Sequence, residues 1–212
     1  MSYISYYAIL LNLETYATLC NMTKQDKANQ QVIDQWTYQL EALLLLIAAT
    51  AQENNKRYYI GGGFAVDLTF GGLSRSHQDI DFHPMEDDTQ WWKDWFASQG
   101  YIISKEPDME DYPYAFLPTN EKHDYFADVY PLKVDQDGII SVTVTDRYTG
   151  RPWWEDKSWN EVKHINYKGQ DVIVENYKSV LKQKEGHYKW YGGTVEGKHL
   201  HDFQRAGVKL EH

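Results

Sequence analysis

The chain has 212 residues, of which 42% are hydrophobic, 25% charged and 15% aromatic, with a formal net charge of −10. Its size and balance are those of a globular protein. The acidic excess argues against a general nucleic-acid binder, which needs Lys and Arg for phosphate contacts, and suits a small cationic partner or plain solubility. Cys20 is the only cysteine, which excludes an internal disulfide and a cysteine-based zinc cage and fits a reducing, cytoplasmic setting.

Residues 1–29 read as an N-terminal extension. Their apolar run lacks the basic region and cleavage site of a signal peptide, and Asn12 and Glu14 interrupt it too early for a membrane span. It is expected to pack on the body as a helix or strand, and Met22 offers an alternative start. Residues 30–56 predict a helix, because Trp36, Leu40, Leu43, Leu44 and Ile47 recur at spacings of three and four. "RYYI" predicts a strand, Gly61, Gly62 and Gly63 break it, and "VDLTF" suits a helical turn before a "GGLSRS" loop.

"QDIDFHP" predicts a strand whose period of two puts Asp79 and Asp81 on one face and Ile80 and Phe82 on the other. A helix over 89–99, capped by Asp87 or Asp88, carries a stripe of Trp91, Trp92, Trp95 and Phe96, read as core before a stacking platform. Strands follow at "YIIS", "YAFLP", "YFADVYPL" and "IISVTV", with a turn at "DQDG" and an acidic loop between the first two. A Trp-rich loop with Trp153, Trp154 and Trp159 leads to a hairpin, "VKHINY" and "DVIV", then helices at "ENYKSVLKQKEG" and "GKHLHDFQRAG". The expected fold is α+β, a mixed sheet packed with helices plus a small C-terminal helical region. The core is assigned to 30–150 and a C-terminal substrate and helical region to 151–209; residues 210–212, "LEH", resemble a tag remnant.

Two carboxylates side by side on a strand repel at neutral pH, and a divalent cation offsets that charge. Carboxylate oxygens suit Mg²⁺ or Mn²⁺, with substrate phosphates completing the shell. Alone, an Asp-x-Asp is more often a solvated strand face, and three glycines are more often a tight turn than a phosphate cradle at a helix N-terminus. Their joint occurrence is the layout for a nucleoside triphosphate with metal ions. A zinc reading through His77 and His83 lacks a nearby third imidazole, the next being His123; His199 and His201 do not share a helix face.

The run from Gly62 to Asp81, with Gly62, Gly63, Phe64, Ala65, Asp67, Arg75, His77, Asp79, Ile80 and Asp81 at the matching positions, resembles the nucleotidyltransferase superfamily with a polymerase-β-type core. It is most similar to the small aminoglycoside and lincosamide nucleotidyltransferases. That resemblance implies a mixed-sheet nucleotidyltransferase core and transfer of a nucleoside monophosphate from a triphosphate to an acceptor hydroxyl. It implies two Mg²⁺ ions, or Mn²⁺, held by Asp79, Asp81 and Asp128, the last in "FADVYP". Gly62 and Gly63 would bind nucleotide; Arg75, as readily a surface arginine, and Lys198, more readily a solvated helix lysine, could balance phosphate charge there, and Asp67 would be a structural cap or else touch the substrate. Glu106, Asp108, Glu110 and Asp111, read by default as a solvated loop, become candidates for holding a cationic acceptor, with the tryptophans favouring a less charged one. The expected partners are thus a nucleoside triphosphate and a small-molecule acceptor resembling an antibiotic, with no nucleic acid and no membrane, and homodimerisation open. The alternatives are a protein-modifying, antitoxin-like enzyme of the same fold and a non-catalytic nucleotide-binding relative.

Overall fold

The computed structural model describes residues 33–105, 114–122, 124, 126–138, 140–142, 161–190, 195 and 197–209. The expected acidic acceptor loop, Glu106, Asp108, Glu110 and Asp111, the Trp-rich loop and the N-terminal extension lie outside them. Helix α1 (Gln35–Glu53) opens the described chain. It is shorter than the predicted 30–56 because Asp34 caps it, its Oδ1 accepting from the Thr37 backbone N–H at 2.8 Å, and because Asn55 turns left-handed (φ 52°) just beyond its end. Strand β1 (Tyr58–Ile60) and helix α2 (Gly62–Thr69) follow, then β2 (Ile80–Pro84), a 3-10 turn (Glu86–Asp88) and α3 (Thr89–Ser98). Asp88 makes no capping bond to α3; its carboxylate instead takes the Lys56 ammonium at 2.6 Å.

Short strands β3 (Ile102–Ser104), β4 (Leu117–Thr119), β5 (Ala127–Val129), β6 (Leu132–Val134) and β7 (Ile140–Val142) come next. The single strand predicted at "YFADVYPL" is divided into β5 and β6 around Pro131, which has no N–H to offer a ladder. The hairpin of β8 (Lys163–Tyr167) and β9 (Gln170–Val174) and helices α4 (Tyr177–Trp190) and α5 (Gly197–Arg205) complete the chain. The class is α+β, as the sequence predicts.

The main sheet has the order β5-β2-β1-β9-β8, mixed in direction, with β3-β4 and β6-β7 as two-stranded additions. β2 runs antiparallel to β1 and parallel to β5, and β1 runs parallel to β9. The region expected as a C-terminal unit thus supplies two of the five strands. The pleat divides the residues between two faces. Tyr58, Ile60, Ile80, Phe82, Ala127, Val129, Val172 and Val174 join Leu40, Leu44, Ile47, Trp92 and Phe96 in the main core. The Phe82 and Trp92 rings meet edge to face at 4.9 Å, so the tryptophan stripe of α3 is core, as read. Opposite them, Tyr59 packs with Leu132 and Ile140 in a smaller cluster, and the polar residues of β2 lie on that front face. α4 and α5 pack against α2.

Candidate active site

The front face takes its chemistry from alternation. Asp79, Asp81 and His83 follow one another at steps of two along the β2 segment, and Asp128 on β5 is the register partner of Asp81. Ile80 and Phe82 between them are fully buried, while Asp79, Asp81 and Asp128 are only partly covered. Asp81 and Asp128, from separate parts of the sequence, thus stand side by side on neighbouring strands, with Asp79 just before the start of β2. The Asp81 carboxylate accepts no hydrogen bond from the described residues and retains its lone pairs for a ligand.

The glycine turn joins β1 to α2 immediately beside them. The Gly61 N–H donates to the Asp81 carbonyl at 2.8 Å, and Gly61 caps α2 without a side-chain bond. Each glycine leaves room for a different group. A Cβ on Gly61 would stand 2.7 Å from His83 Nε2 and 3.3 Å from Glu175 Oε2. One on Gly62, whose φ is +56°, would overlap the Asp81 carboxylate, and one on Gly63 would overlap the Arg75 guanidinium. Only Gly62 of the three needs glycine for its backbone conformation; all three need it for close approach.

Arg75 is buried and its donors are taken up by the chain. Its Nε and Nη2 donate to the two oxygens of Asp202 on α5 at 2.8 and 3.0 Å, and Nη1 donates to the Ser76 carbonyl at 2.9 Å. Lys184 on α4 adds a third cationic contact to Asp202 at 3.2 Å. Lys198, at the start of α5, donates to the Gln78 side chain at 2.6 Å. Asp67 is fully buried, and it accepts from the Ser74 backbone N–H, the Ser74 hydroxyl and His77 Nε2. Burial works to raise its pKa, yet the His77 and Ser74 hydrogen bonds outweigh that and hold the carboxyl below the usual range. Both its oxygens are thus held by neighbouring groups of the chain.

The imidazoles are otherwise engaged. His77 precedes β2, stacks on Phe64 at 4.1 Å and bonds to Asp67, so it lies behind α2 rather than on the aspartate face. His83 donates from Nδ1 to the Tyr130 carbonyl at 3.0 Å, and burial pushes its pKa down to about 4. The ring is neutral at pH 7, with its unprotonated Nε2 toward Gly61. His201 meets the Ser74 hydroxyl at 2.9 Å, and His199 packs edge-on to Tyr188. Among the described residues, no group of three His, Cys, Asp or Glu is drawn together as a ready-made metal cage. The carboxylates on the front face instead fit the Mg²⁺ habit of taking one or two protein carboxylates and filling the rest of its shell from phosphates and water.

Two participants escaped the sequence reading. Glu175, which follows β9, is buried beside Gly61 and accepts from Gln183 at 2.7 Å; an acid directly after the apolar "DVIV" run was the available signal. Asp202 was visible only as an acid downstream of Lys198 and His199, with nothing to link it to Arg75. Among the described residues, no helix is long and apolar enough to cross a membrane.

Comparison with known proteins follows the same lines. Among solved structures, the chain is similar to the lincosamide antibiotic adenylyltransferase LnuA with lincomycin bound, at 21% identity and a TM-score of 0.60 over 77% of this chain and 94% of that one. It is also similar to ANT(2'')-Ia, an antibiotic-resistance factor, in its solution structure, at 19% identity and a TM-score of 0.57 over 80% and 83% of the two chains. The crystal structure of ANT(2'')-Ia with adenylyl-2''-tobramycin gives 19% and 0.55 over 80% and 88%. At such identities these likenesses establish the fold. No curated protein matches significantly by sequence. The sequence model of one family, however, covers residues 43–205, from α1 to the end of α5 and through every residue of the front face. The chain belongs to the aminoglycoside-2''-adenylyltransferase family, a family of nucleotidyl-transferring enzymes.

Proposed function

We propose that this protein transfers a nucleoside monophosphate, most simply AMP from ATP, to a hydroxyl of an aminoglycoside- or lincosamide-like antibiotic. The observation that carries the reading is the pairing of Asp81 with Asp128 across β2 and β5, with Asp79 on the same face and the Gly62 turn against Asp81. The acceptor oxygen attacks the α-phosphorus, the new O–P bond forms as the bond to the pyrophosphate oxygen breaks, and the hydroxyl proton is lost. Asp79, Asp81 and Asp128 are the residues that would hold divalent cations, as their oxygen donors and shared face suit. Bound there, such ions would neutralise phosphate charge and acidify the attacking hydroxyl.

The remaining work falls to the chain itself. Asp128 accepts the acceptor's proton or orients the hydroxyl that loses it. The turn at Gly62 and Gly63 receives the triphosphate next to the N-terminus of α2, and Lys198, beside Gln78, supplies a mobile positive charge for it. Arg75 supports the turn. The acidic segment with Glu106, Asp108, Glu110 and Asp111 attracts a cationic acceptor.

The test is transfer of labelled nucleotide across a panel of aminoglycosides and lincosamides, with the product identified by mass spectrometry. EDTA is expected to abolish transfer and Mg²⁺ to restore it. Asp81→Asn and Asp128→Asn are each expected to lower turnover about a hundredfold or more, since a lost metal ligand removes several kcal/mol of transition-state stabilisation. Near-native turnover in a folded variant would strike that aspartate from the site. Absence of transfer to every member of the panel would refute the acceptor class.

A further inference from the structure

Arg75 invites the simplest assignment for a cation in a nucleotide site, a direct contact to phosphate. Its surroundings point elsewhere. The guanidinium is 5% exposed, and Nε and Nη2 bind both oxygens of Asp202 while Nη1 binds the Ser76 carbonyl. Its Nη2 lies against Gly63, where a Cβ would overlap it. Gly63 has no positive φ. Its bare backbone therefore answers to packing, and the arginine occupies the space where a side chain would begin. Asp202 is 0% exposed and belongs to a helix far along the chain; it also takes Lys184 at 3.2 Å.

We infer that Asp202 is a positioning residue for nucleotide binding: it holds the Arg75 Nη2 against Gly63 and so fixes the first turn of α2 in the form that receives the triphosphate. The C-terminal helix is thereby part of the nucleotide site without touching the nucleotide. Two features distinguish this from an ordinary buried ion pair. Nη2 occupies the place where a side chain on the turn would begin, and the bidentate fork fixes the orientation of the guanidinium as well as its place. A buried pair kept only for stability is often replaceable by apolar residues of similar volume, whereas one that sets the shape of a turn is not. The inference rests on the nucleotidyl-transfer reading given above.

Asp202→Asn alone leaves Arg75 and Lys184 undercompensated and risks unfolding, so the informative variant is Arg75→Met with Asp202→Leu and Lys184→Met, which removes all three charges. It is expected to melt near the wild-type temperature. It should bind a non-hydrolysable ATP analogue with Mg²⁺ about tenfold or more weaker by calorimetry, and leave the KM for the antibiotic acceptor within about twofold. A pair with a purely structural role would leave nucleotide affinity at the wild-type value, whatever it did to the melting temperature. The second measurement is a double-mutant cycle. Gly63→Ala should weaken nucleotide binding strongly when Arg75 is present and much less when it is Met, since the displaced group is then gone. Wild-type nucleotide affinity in the folded triple variant, or additive effects of Gly63→Ala and Arg75→Met, would overturn the inference while leaving the proposed activity intact. A wild-type protein that binds no triphosphate would overturn both.

Discussion

Gly62 concentrates two demands in one residue. Its φ of +56° is left-handed, and the Asp81 carboxylate fills the position of its absent Cβ. An alanine would meet a backbone penalty of about 1–2 kcal/mol and would also displace Asp81 from its place opposite Asp128. Gly62→Ala is expected to lower unfolding free energy by about that amount in a denaturant titration and to cost transfer about a hundredfold, on the scale of losing Asp81 itself. Gly71 provides the comparison, because it is left-handed too, at φ +100°, but has open space where a Cβ would go. Gly71→Ala should show a stability loss alone. If both variants kept full turnover, the approach of Asp81 to the glycine turn would have no catalytic meaning.

At the scale of elements, the beginning of α1 is tied to the strand that carries the aspartates. Asp34 caps the helix through the Thr37 N–H, its own N–H donates to the Ser76 hydroxyl at 3.1 Å, and the Thr37 hydroxyl accepts from the His77 N–H at 2.8 Å. Trp36 adds a bond from its indole N–H to the Gln78 carbonyl at 2.8 Å. These bonds lead the chain into β2 just before Asp79. Asp34→Ala is expected to reduce stability by about 1 kcal/mol, the ordinary value of an N-cap. Turnover per folded molecule should stay close to wild type, since none of these groups faces the carboxylates. A fall in turnover without a fall in melting temperature would instead make the cap part of the site's alignment. Helix α1, the tryptophan helix α3 and the strand with its paired aspartates were legible because each repeats with the period of its own geometry. The ends were less so, because Asp34 and Pro131 stop their elements through single bonds made or missing, which a periodic pattern does not register.

The whole molecule carries a net charge of −10, and that charge has a kinetic consequence if the acceptor is an amino sugar. Exposed acids attract over about a Debye length, roughly 8 Å at physiological salt. The KM for a cationic aminoglycoside should therefore rise with ionic strength, and rise further in Asp108→Asn with Glu110→Gln. The kcat should hardly change, because this attraction is shared by ground and transition states. Steady-state kinetics at two salt concentrations decide the point. A KM indifferent to both salt and the double variant would assign the acidic segment to ordinary solvated surface and favour a neutral, lincosamide-like acceptor.

From the sequence by itself came what chain geometry dictates locally. A strand alternates, so Asp79 and Asp81 had to share a face with Ile80 and Phe82 behind them. A helix repeats near every third or fourth residue, so Leu40, Leu44 and Ile47 had to line one side. The motif around them was dense enough to suggest the family. Only the tertiary structure decided which distant residues meet. It set Asp128 opposite Asp81 through the register of two parallel strands, joined Arg75 to Asp202 on α5, and brought Glu175 and His83 to Gly61. Such pairings depend on how separate elements dock. Docking is settled by the burial of apolar faces over the whole core, and no local spacing in the sequence records it.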